Sequence, residues 1–201
     1  DRWQWPNRTP QESSWFQYDL ETTGYIPIID MKLILVLTQY LSTSKVIKHG
    51  NVNTYTCSEQ QILHYPKCQI IVDEAYKRDL ENSKKGRATA LGGFERLRGY
   101  PEGRFFDEHT NFRGIEFRYY NDSIDLDFDI FFAKGFLAEF QFAGFYEQGT
   151  VSSELGNSFW NNFKDSYGFG IRLITGSAVA RLDFGFSEEG VATTAYWDYP
   201  F

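Results

Sequence analysis

Cys57, His64 and Cys68 are the residues that come nearest to a metal site, because thiolate and imidazole groups both bind zinc. Their spacing matches no common zinc pattern, and no fourth ligand is evident near them. The two cysteines are the only ones in the chain and lie in a polar stretch. We therefore predict a Cys57–Cys68 disulfide formed in an oxidising compartment, with two free thiols as the alternative, and no metal.

Two further groups of acidic residues could in principle take part in hydrolysis or in calcium binding. Asp107-Glu108-His109 contains acid and base types that hydrolases use, but no serine nucleophile has a supporting motif, so a hydrated loop is predicted. Asp125, Asp127 and Asp129 recur at steps of two, which places them on one face of a strand. Calcium loops instead wrap around the ion. These patterns predict no catalytic residue, no metal and no cofactor, and hence a protein that is not an enzyme.

The composition limits the fold class to two kinds of β protein. Aromatic residues make up 18% of the 201 residues, yet the mean hydropathy is only −0.45. No apolar run approaches the roughly 20 residues that a transmembrane helix needs. A soluble β-sandwich and a membrane β-barrel both fit this balance. The net charge of −7 argues against a nucleic-acid partner, which requires a basic face.

Alternation of apolar and polar residues with period two is the dominant pattern. Phe117, for example, is flanked by Glu116 and Arg118. Asp1 to Trp5 offers a further short segment that could add an eighth strand. The clear alternating segments predict seven strands, at residues 15–28, 31–43, 112–120, 124–147, 167–174, 178–186 and 191–201.

The prediction of one long strand over residues 124–147 rests on its phase. Lys134-Gly135 has the composition of a hairpin turn. A two-residue hairpin there would move Leu137 and Glu139 to the apolar side, because a register slip of one flips a strand. The apolar residues instead keep the even positions as far as Tyr146. The phase therefore favours a single uninterrupted strand.

The connections between the predicted strands alternate in length. Short turns are expected near residues 29–30, 121–123, 175–177 and 187–190, whereas long polar connections cover 44–110 and 148–165. Outer-membrane barrels have this asymmetry, with tight turns on one side and long loops outside. We predict a single all-β domain over residues 1–201, a transmembrane antiparallel β-barrel of outer-membrane type with about eight strands per chain. Residues 44–110 form its long extracellular loop.

The C-terminus carries a motif of its own. Phe201 is preceded by Tyr199 and Trp197 at steps of two, which would form a lipid-facing row with aromatic residues at the interface. This resembles the C-terminal sorting signal of bacterial outer-membrane barrels. The resemblance makes residues 191–201 the sorting-signal strand and implies integral location in a bacterial outer membrane. An ordinary amphipathic strand is the alternative.

The most specific motif is LGGFERLRGY, followed by GRF and the strand FRGIEFRYY. It resembles the BamA/TamA outer-membrane assembly superfamily, the bacterial surface antigen family, in which a loop with an [LV]-R-G-[FY] tetrad folds back into the barrel. FQYDLETTGYIPI with KLILVLTQYL resembles the two strands before that loop, and YGFGIRLITGSAVARLDFGF resembles the penultimate hairpin. The motif positions are Gly92, Gly93, Leu97, Arg98, Gly99 and Tyr100.

The resemblance implies that Arg98 pairs with carboxylates on the inner barrel wall. Glu116 matches the family's carboxylate on the strand after the loop. The family's Asp on the next strand falls near Phe142-Ala143, so Glu139 on the inward row is the second candidate partner. An unpaired arginine in a low-dielectric lumen is costly, which is why partners are expected.

The resemblance also sets the expected function. It implies a role in outer-membrane biogenesis or in moving lipid or protein, with membrane lipid or lipopolysaccharide and the outer-membrane assembly machinery as partners. The sequence has no POTRA-like pattern and half the family's strands. It could be a fragment, a small self-closed barrel, or a homodimer paired through strand edges. The alternatives are a passive barrel acting as an anchor or pore, and a barrel-embedded hydrolase.

Overall fold

The computed structural model describes residues 14–30, 32–48, 56–84, 87–121, 124–130, 133–175 and 178–198. The predicted strand at Asp1 to Trp5 and the terminal residues Tyr199 and Phe201 lie outside these ranges. No helix in the described parts is long and apolar enough to span a bilayer. In chain order the elements are β1 Ser14–Ile29, β2 Leu33–Lys48, α1 Glu59–His64, α2 Cys68–Lys84, β3 His109–Tyr120, β4 Ile124–Ile130, β5 Ala133–Ser152, α3 Asn157–Asn161, β6 Lys164–Thr175, β7 Val179–Ser187 and β8 Gly190–Asp198.

The strands form one antiparallel sheet in the order β1-β2-β3-β5-β6-β7-β8, with β4 paired to β5 beside this path. Apart from β3 and β4, each strand pairs with the next one in the chain, which is the usual arrangement of antiparallel sheets. The all-β antiparallel class predicted from the alternation is therefore correct. Within the described residues β1 pairs only with β2 and β8 only with β7. The sheet formed by the described residues is thus open, with one free edge along β1 and another along β8.

The predicted long strand over residues 124–147 is wrong, and so is the predicted reversal at Asn121. β3 and β4 both pair with the same side of β5, so the chain continues past Asn121 and reverses only between Ile130 and Ala133. An irregularity between Leu126 and Asp129 shifts the register by one. Such a bulge lets even positions on β4 lie opposite even positions on β5, which removes the phase argument against a hairpin.

The predicted long loop at 44–110 contains regular structure that the sequence did not reveal. β2 runs on to Lys48, and α1 and α2 follow. Ser58 caps α1, accepting a hydrogen bond from the Gln61 backbone N–H at 3.3 Å and donating its own N–H to the Gln61 side chain at 3.0 Å. Cys57 and Cys68 form the predicted disulfide, which ties the start of α1 to the start of α2.

The two faces of the sheet differ sharply in polarity. Residues 87–108, which we call the Arg98 loop, pack on one face, and we name this the loop-covered face. Its buried strand residues are largely polar or charged: Ser42, Thr110, Glu116, Gln141, Glu147, Ser166, Arg172 and Asp183. The opposite face, the open face, carries exposed apolar side chains such as Phe117, Phe169 and Trp197. This is the reverse of the usual arrangement in a soluble sheet.

Candidate functional site

The Arg98 loop is shaped by glycine positions that no other residue could fill easily. Gly92 and Gly93 have φ values of 104° and 106°, a region that side chains rarely adopt. A Cβ on Gly92 would lie 2.1 Å from the Pro101 carbonyl oxygen. The Gly93 N–H donates to the Tyr100 carbonyl at 3.0 Å, and the Tyr100 N–H donates to the Leu97 carbonyl at 3.1 Å. The motif therefore folds into a compact turn.

A small apolar cluster fixes this turn to the sheet. Leu91 and Leu97 are completely buried, and Tyr100 is 1% exposed. They pack with Tyr40 on β2 and Phe112 on β3. Burying side chains of this size stabilises the contact by about 1.5–3 kcal/mol each relative to exposure. The cluster thereby determines where along the strands the rest of the loop makes its contacts.

Glycine also allows the loop backbone to lie directly on the strands. A Cβ on Gly99 would lie 2.6 Å from the Phe186 carbonyl oxygen, and a Cβ on Gly185 would lie 2.4 Å from the Arg98 carbonyl oxygen. The Ser187 hydroxyl donates to the Gly99 carbonyl at 2.8 Å. The Arg-Gly pair of the motif thus lets Arg98 reach the wall from a backbone already in contact with β7.

Arg98 contacts carboxylates on three strands. Its Nε lies 2.6 Å from Glu147 on β5, its Nη2 lies 2.8 Å from Glu116 on β3, and its Nη1 lies 3.1 Å from Asp183 on β7. Its backbone N–H donates to the second Glu147 oxygen at 2.7 Å, and its guanidinium lies 3.5 Å from the centre of the Phe145 ring. The arginine is thus held in position from its backbone to its tip.

This convergence requires a curved sheet. β3 and β7 are separated by β5 and β6, which in a flat sheet would place them about 14 Å apart at roughly 4.8 Å per step. One guanidinium nevertheless bonds to carboxylates of both strands. The loop-covered face is therefore concave, and the Arg98 loop lies inside the curve.

The ion pair expected between Arg98 and Glu116 is present, and the structure corrects the second predicted partner. Glu139 is exposed and lies opposite Ile174, eight residues or roughly 27 Å along β5 from Glu147. Glu147 lies on the same face of β5 as Glu139, at the point along the strand where the loop docks. Asp183 was not predicted, although it lies in the charged row of the RLDFGF segment.

Further arginines complete the buried network on the wall. Arg118 and Arg172 each bond to Glu116, at 2.6 and 2.7 Å, and Arg181 Nε bonds to Asp183 at 2.6 Å. Burial of the Arg98 guanidinium opposes its charge, but the surrounding carboxylates outweigh this effect and raise the pKa of Arg98. Breaking a buried pair of this kind usually costs about 3–5 kcal/mol.

The same loop also touches strands at both edges of the sheet. Arg96 lies 3.2 Å from Glu21 on β1, and its guanidinium is 3.8 Å from the Tyr40 ring centre. Phe94 stacks on Tyr196 of β8 at 4.7 Å. The loop therefore bridges the concave face from one free edge to the other.

The other residues singled out in the sequence make local contacts. Asp107 accepts a hydrogen bond from the Glu108 N–H at 2.9 Å, and His109 Nδ1 lies 3.3 Å from the Thr43 hydroxyl. His64 Nδ1 lies 3.0 Å from the Gln60 carbonyl. Among the described residues, no group of three His, Cys, Asp or Glu side chains is placed to hold a metal. Trp197 lies on the open face of β8 and is 71% exposed.

What the geometry provides is a loop held against a curved, charged wall. Comparisons of the chain with models of protein families, with curated proteins and with solved structures found no match. The resemblance to the bacterial surface antigen family therefore rests on the LGGFERLRGY motif and the strands around it.

Proposed function

We propose that this sheet is the wall of a transmembrane β-barrel in a bacterial outer membrane. The observation that carries the proposal is the polarity of the two faces. In a membrane barrel the outward side chains are apolar and the lumen is polar. The buried Arg98 network supplies a polar interior, and the open face supplies a surface suited to lipid.

The apolar part of the open face is about as tall as the lipid-facing band of an outer-membrane barrel. Phe117 and Phe169 lie in one row across the sheet, with further apolar rows on either side. On β6 the apolar positions run from Tyr167 to Leu173, about 20 Å at roughly 3.4 Å per residue. This is close to the band of about 25 Å in outer-membrane barrels.

A polar row borders this band at one end. Arg113 on β3 donates to Gln148 on β5 at 2.7 Å, and Asp165 on β6 lies next in the same row. The Tyr146 hydroxyl donates to Asp165 at 2.7 Å. A tyrosine whose ring lies in an apolar band and whose hydroxyl reaches polar groups is typical of a membrane interface.

The free edges of β1 and β8 require partner strands in such a setting, because lipid offers no hydrogen bonds to an open edge. A second copy of the chain would supply strands to both edges, as would further strands of a longer polypeptide. The native mass of the purified protein in detergent distinguishes these cases. Twice the chain mass of 23.4 kDa indicates the homodimer.

Within this setting we assign the chain a role of the BamA-like kind, in outer-membrane biogenesis or in translocating lipid or protein. The Arg98 loop would brace the lumen. Membrane lipid or lipopolysaccharide would contact the open face, and the assembly machinery would act during insertion. The support is the combination of the LRGY motif, its docking on a curved charged wall, and the apolar outer surface.

Lipid transfer between the leaflets of protein-containing liposomes tests this role. We expect the wild-type protein to accelerate transfer and Arg98→Ala to abolish the acceleration. Arg104→Ala is the matched control, since Arg104 lies in the same loop but its side chain is 49% exposed and pairs only at the surface with Glu189. No acceleration by the wild type would favour a passive barrel, and released lipid fragments would favour a hydrolase.

A further inference from the structure

We propose that a groove on the open face binds one phosphate-bearing membrane lipid, with Arg113 contacting its headgroup. The groove has a volume of about 600 Å³ and is lined by residues of β1, β2, β3 and β5. Ligand sites typically range from about 300 to 1,000 Å³. The inference rests on the proposed function, because the groove meets a lipid molecule only if the open face contacts the bilayer.

The groove is polar at one end and apolar at the other. Its polar end is a row of four residues in register across the four strands: Thr22, Gln39, Arg113 and Gln148. The next row on this face, two residues away along each strand, consists of Gly24, Leu37, Ile115 and Tyr146. A lipid has the same division, with its phosphate directly beside its acyl chains.

The polar end of the groove lies toward the long connections of the chain. From Gln39, β2 continues to Lys48, where the connection that contains α1 and α2 begins. The connection that contains α3 leaves β5 on the same side, after Ser152. Long loops of outer-membrane barrels are extracellular. The headgroup would therefore lie at the outer surface of the membrane, and the acyl chain would run into the bilayer.

The open space in the apolar part of the groove comes from a glycine on the edge strand. A Cβ on Gly24 would have no heavy atom within 4 Å. The side chains of Leu37, Ile115 and Tyr146 in the same row are exposed. Because lipid tails are as apolar as these side chains, an acyl chain here gains van der Waals packing rather than hydrophobic free energy. Selectivity among lipids must therefore come from the headgroup.

Arg113 supplies the charge that such selectivity requires. Among the described residues it is the one charged side chain that lines the groove. Its Nε donates to the Gln148 side-chain oxygen at 2.7 Å, and its guanidinium lies 4.3 Å from the centre of the Phe163 ring. Within the described structure no carboxylate pairs with it. Phosphate oxygens fit the paired donors of a guanidinium group.

The nearest acidic residue in the same row, Asp165 on β6, does not neutralise the groove. It accepts hydrogen bonds from the Tyr146 hydroxyl at 2.7 Å and from the Gln148 amide. Gln148 lies between Asp165 and Arg113, which places the two charged residues about 10 Å apart at roughly 4.8 Å per strand. Asp165 is also absent from the groove lining. The groove therefore offers a cation to an anionic headgroup.

Native mass spectrometry of the detergent-purified full chain tests the site by counting bound lipids. The probes are a diacylglycerol and the phosphate ester of the same diacylglycerol. We expect one tight site per chain for the phosphate lipid and about tenfold weaker binding of the diacylglycerol, the change that one lost charge-assisted hydrogen bond produces. Arg113→Gln should bind both lipids equally weakly. Arg104→Gln should keep the preference, because it removes an exposed arginine outside the groove.

Two leucine substitutions separate the groove from the rest of the open face. Gly24→Leu fills the groove and should abolish the tight site. Gly144→Leu adds the same side chain to the same face, at a position where a Cβ also has open space but which does not line the groove. This variant should bind the phosphate lipid as the wild type does. Neither glycine has a positive φ, so both variants keep an ordinary strand backbone.

Three results would overturn the proposed site: equal binding of the two lipids by the wild type, an unchanged preference in Arg113→Gln, or loss of the tight site in Gly144→Leu. Quenching of Trp197 by brominated acyl chains reports lipid contact of the open face independently, because Trp197 lies on β8 and outside the groove. Quenching without a headgroup preference refutes the lipid site alone. Absence of quenching refutes the proposed function and the lipid site together.

Discussion

Replacing Arg98 with alanine removes the cation that Glu116, Glu147 and Asp183 share. The three carboxylates are affected unequally. Glu116 keeps two other arginines, and Asp183 keeps one. The remaining partners of Glu147 in the described structure are the Ser166 hydroxyl and the backbone N–H of residue 98. Glu147, which is 2% exposed, is therefore the carboxylate that the substitution leaves most costly to bury.

This imbalance gives a prediction with a definite magnitude. Arg98→Ala should lower the free energy of unfolding by about 3–5 kcal/mol, the usual cost of breaking a buried ion pair. Adding Glu147→Gln should then restore part of the stability, because a neutral amide needs no countercharge. The coupling between the two positions should fall between about 0.5 and 3 kcal/mol, as for other residues in contact.

The assay is urea unfolding in detergent micelles, followed by tryptophan fluorescence, for the wild type, both single variants and the double variant. Arg104→Ala serves as the control and should leave the unfolding midpoint unchanged, since its pair with Glu189 is exposed. A double variant as unstable as the sum of the two single changes would refute the reasoning. So would an Arg98→Ala variant no less stable than the control.

Three further perturbations have clear expected outcomes. Gly99→Ala places a Cβ 2.6 Å from a β7 carbonyl and should destabilise the protein by about 1–3 kcal/mol, whereas Gly144→Ala, with open space around it, should be neutral in the same unfolding assay. Replacing both Cys57 and Cys68 by serine should weaken α1 and α2 by about 2–4 kcal/mol, seen as lost helical circular dichroism with the strand signal retained. Burial, aided by the negative charge of Glu188, raises the pKa of the Tyr100 hydroxyl. The stability that the neutral hydroxyl contributes is therefore complete below its ordinary pKa near 10 and is lost as the pH rises through the raised pKa. Tyr100→Phe should remove this part of the loss of stability at alkaline pH, measured in the same unfolding assay.

The sequence contained most of the information about the regular strands. In β6 and β7 the alternation of period two continues without interruption, and both strands lie near the predicted ranges. The β4–β5 hairpin could not be predicted in this way, because the bulge beside Leu126 belongs to the pairing of two strands rather than to either sequence alone.

The site was predictable in its motif and only partly in its partners. The pairing of Arg98 with Glu116 was implied by the resemblance of the tetrad, and of the strand after it, to the bacterial surface antigen family. Predicting Glu147 rather than Glu139 would require knowing where along the strands the loop docks. The apolar cluster around Leu91 determines this position. Asp183 comes within reach only because the sheet curves, and curvature is a property of the whole sheet.

The helices in the long connection between β2 and β3 were missed for a local reason. α2 does have a helical period, since Val72, Ala75, Tyr76 and Leu80 recur at helical spacing and are partly buried. Most of its other residues are polar or charged, so the stretch as a whole has the composition of a polar connection. The capping pair Ser58 and Gln61 was the available signal for α1.

Quenching of single tryptophans by brominated lipid acyl chains tests the central claim that the open face contacts lipid. Trp197 lies on that face, and Trp160 lies in α3, which packs beyond the polar row that ends the apolar band; both are largely exposed. Variants that retain one of these two tryptophans, with the others replaced by phenylalanine, are reconstituted into liposomes. The account predicts strong quenching of Trp197 and weak quenching of Trp160. Quenching of Trp197 no stronger than that of Trp160 would contradict it.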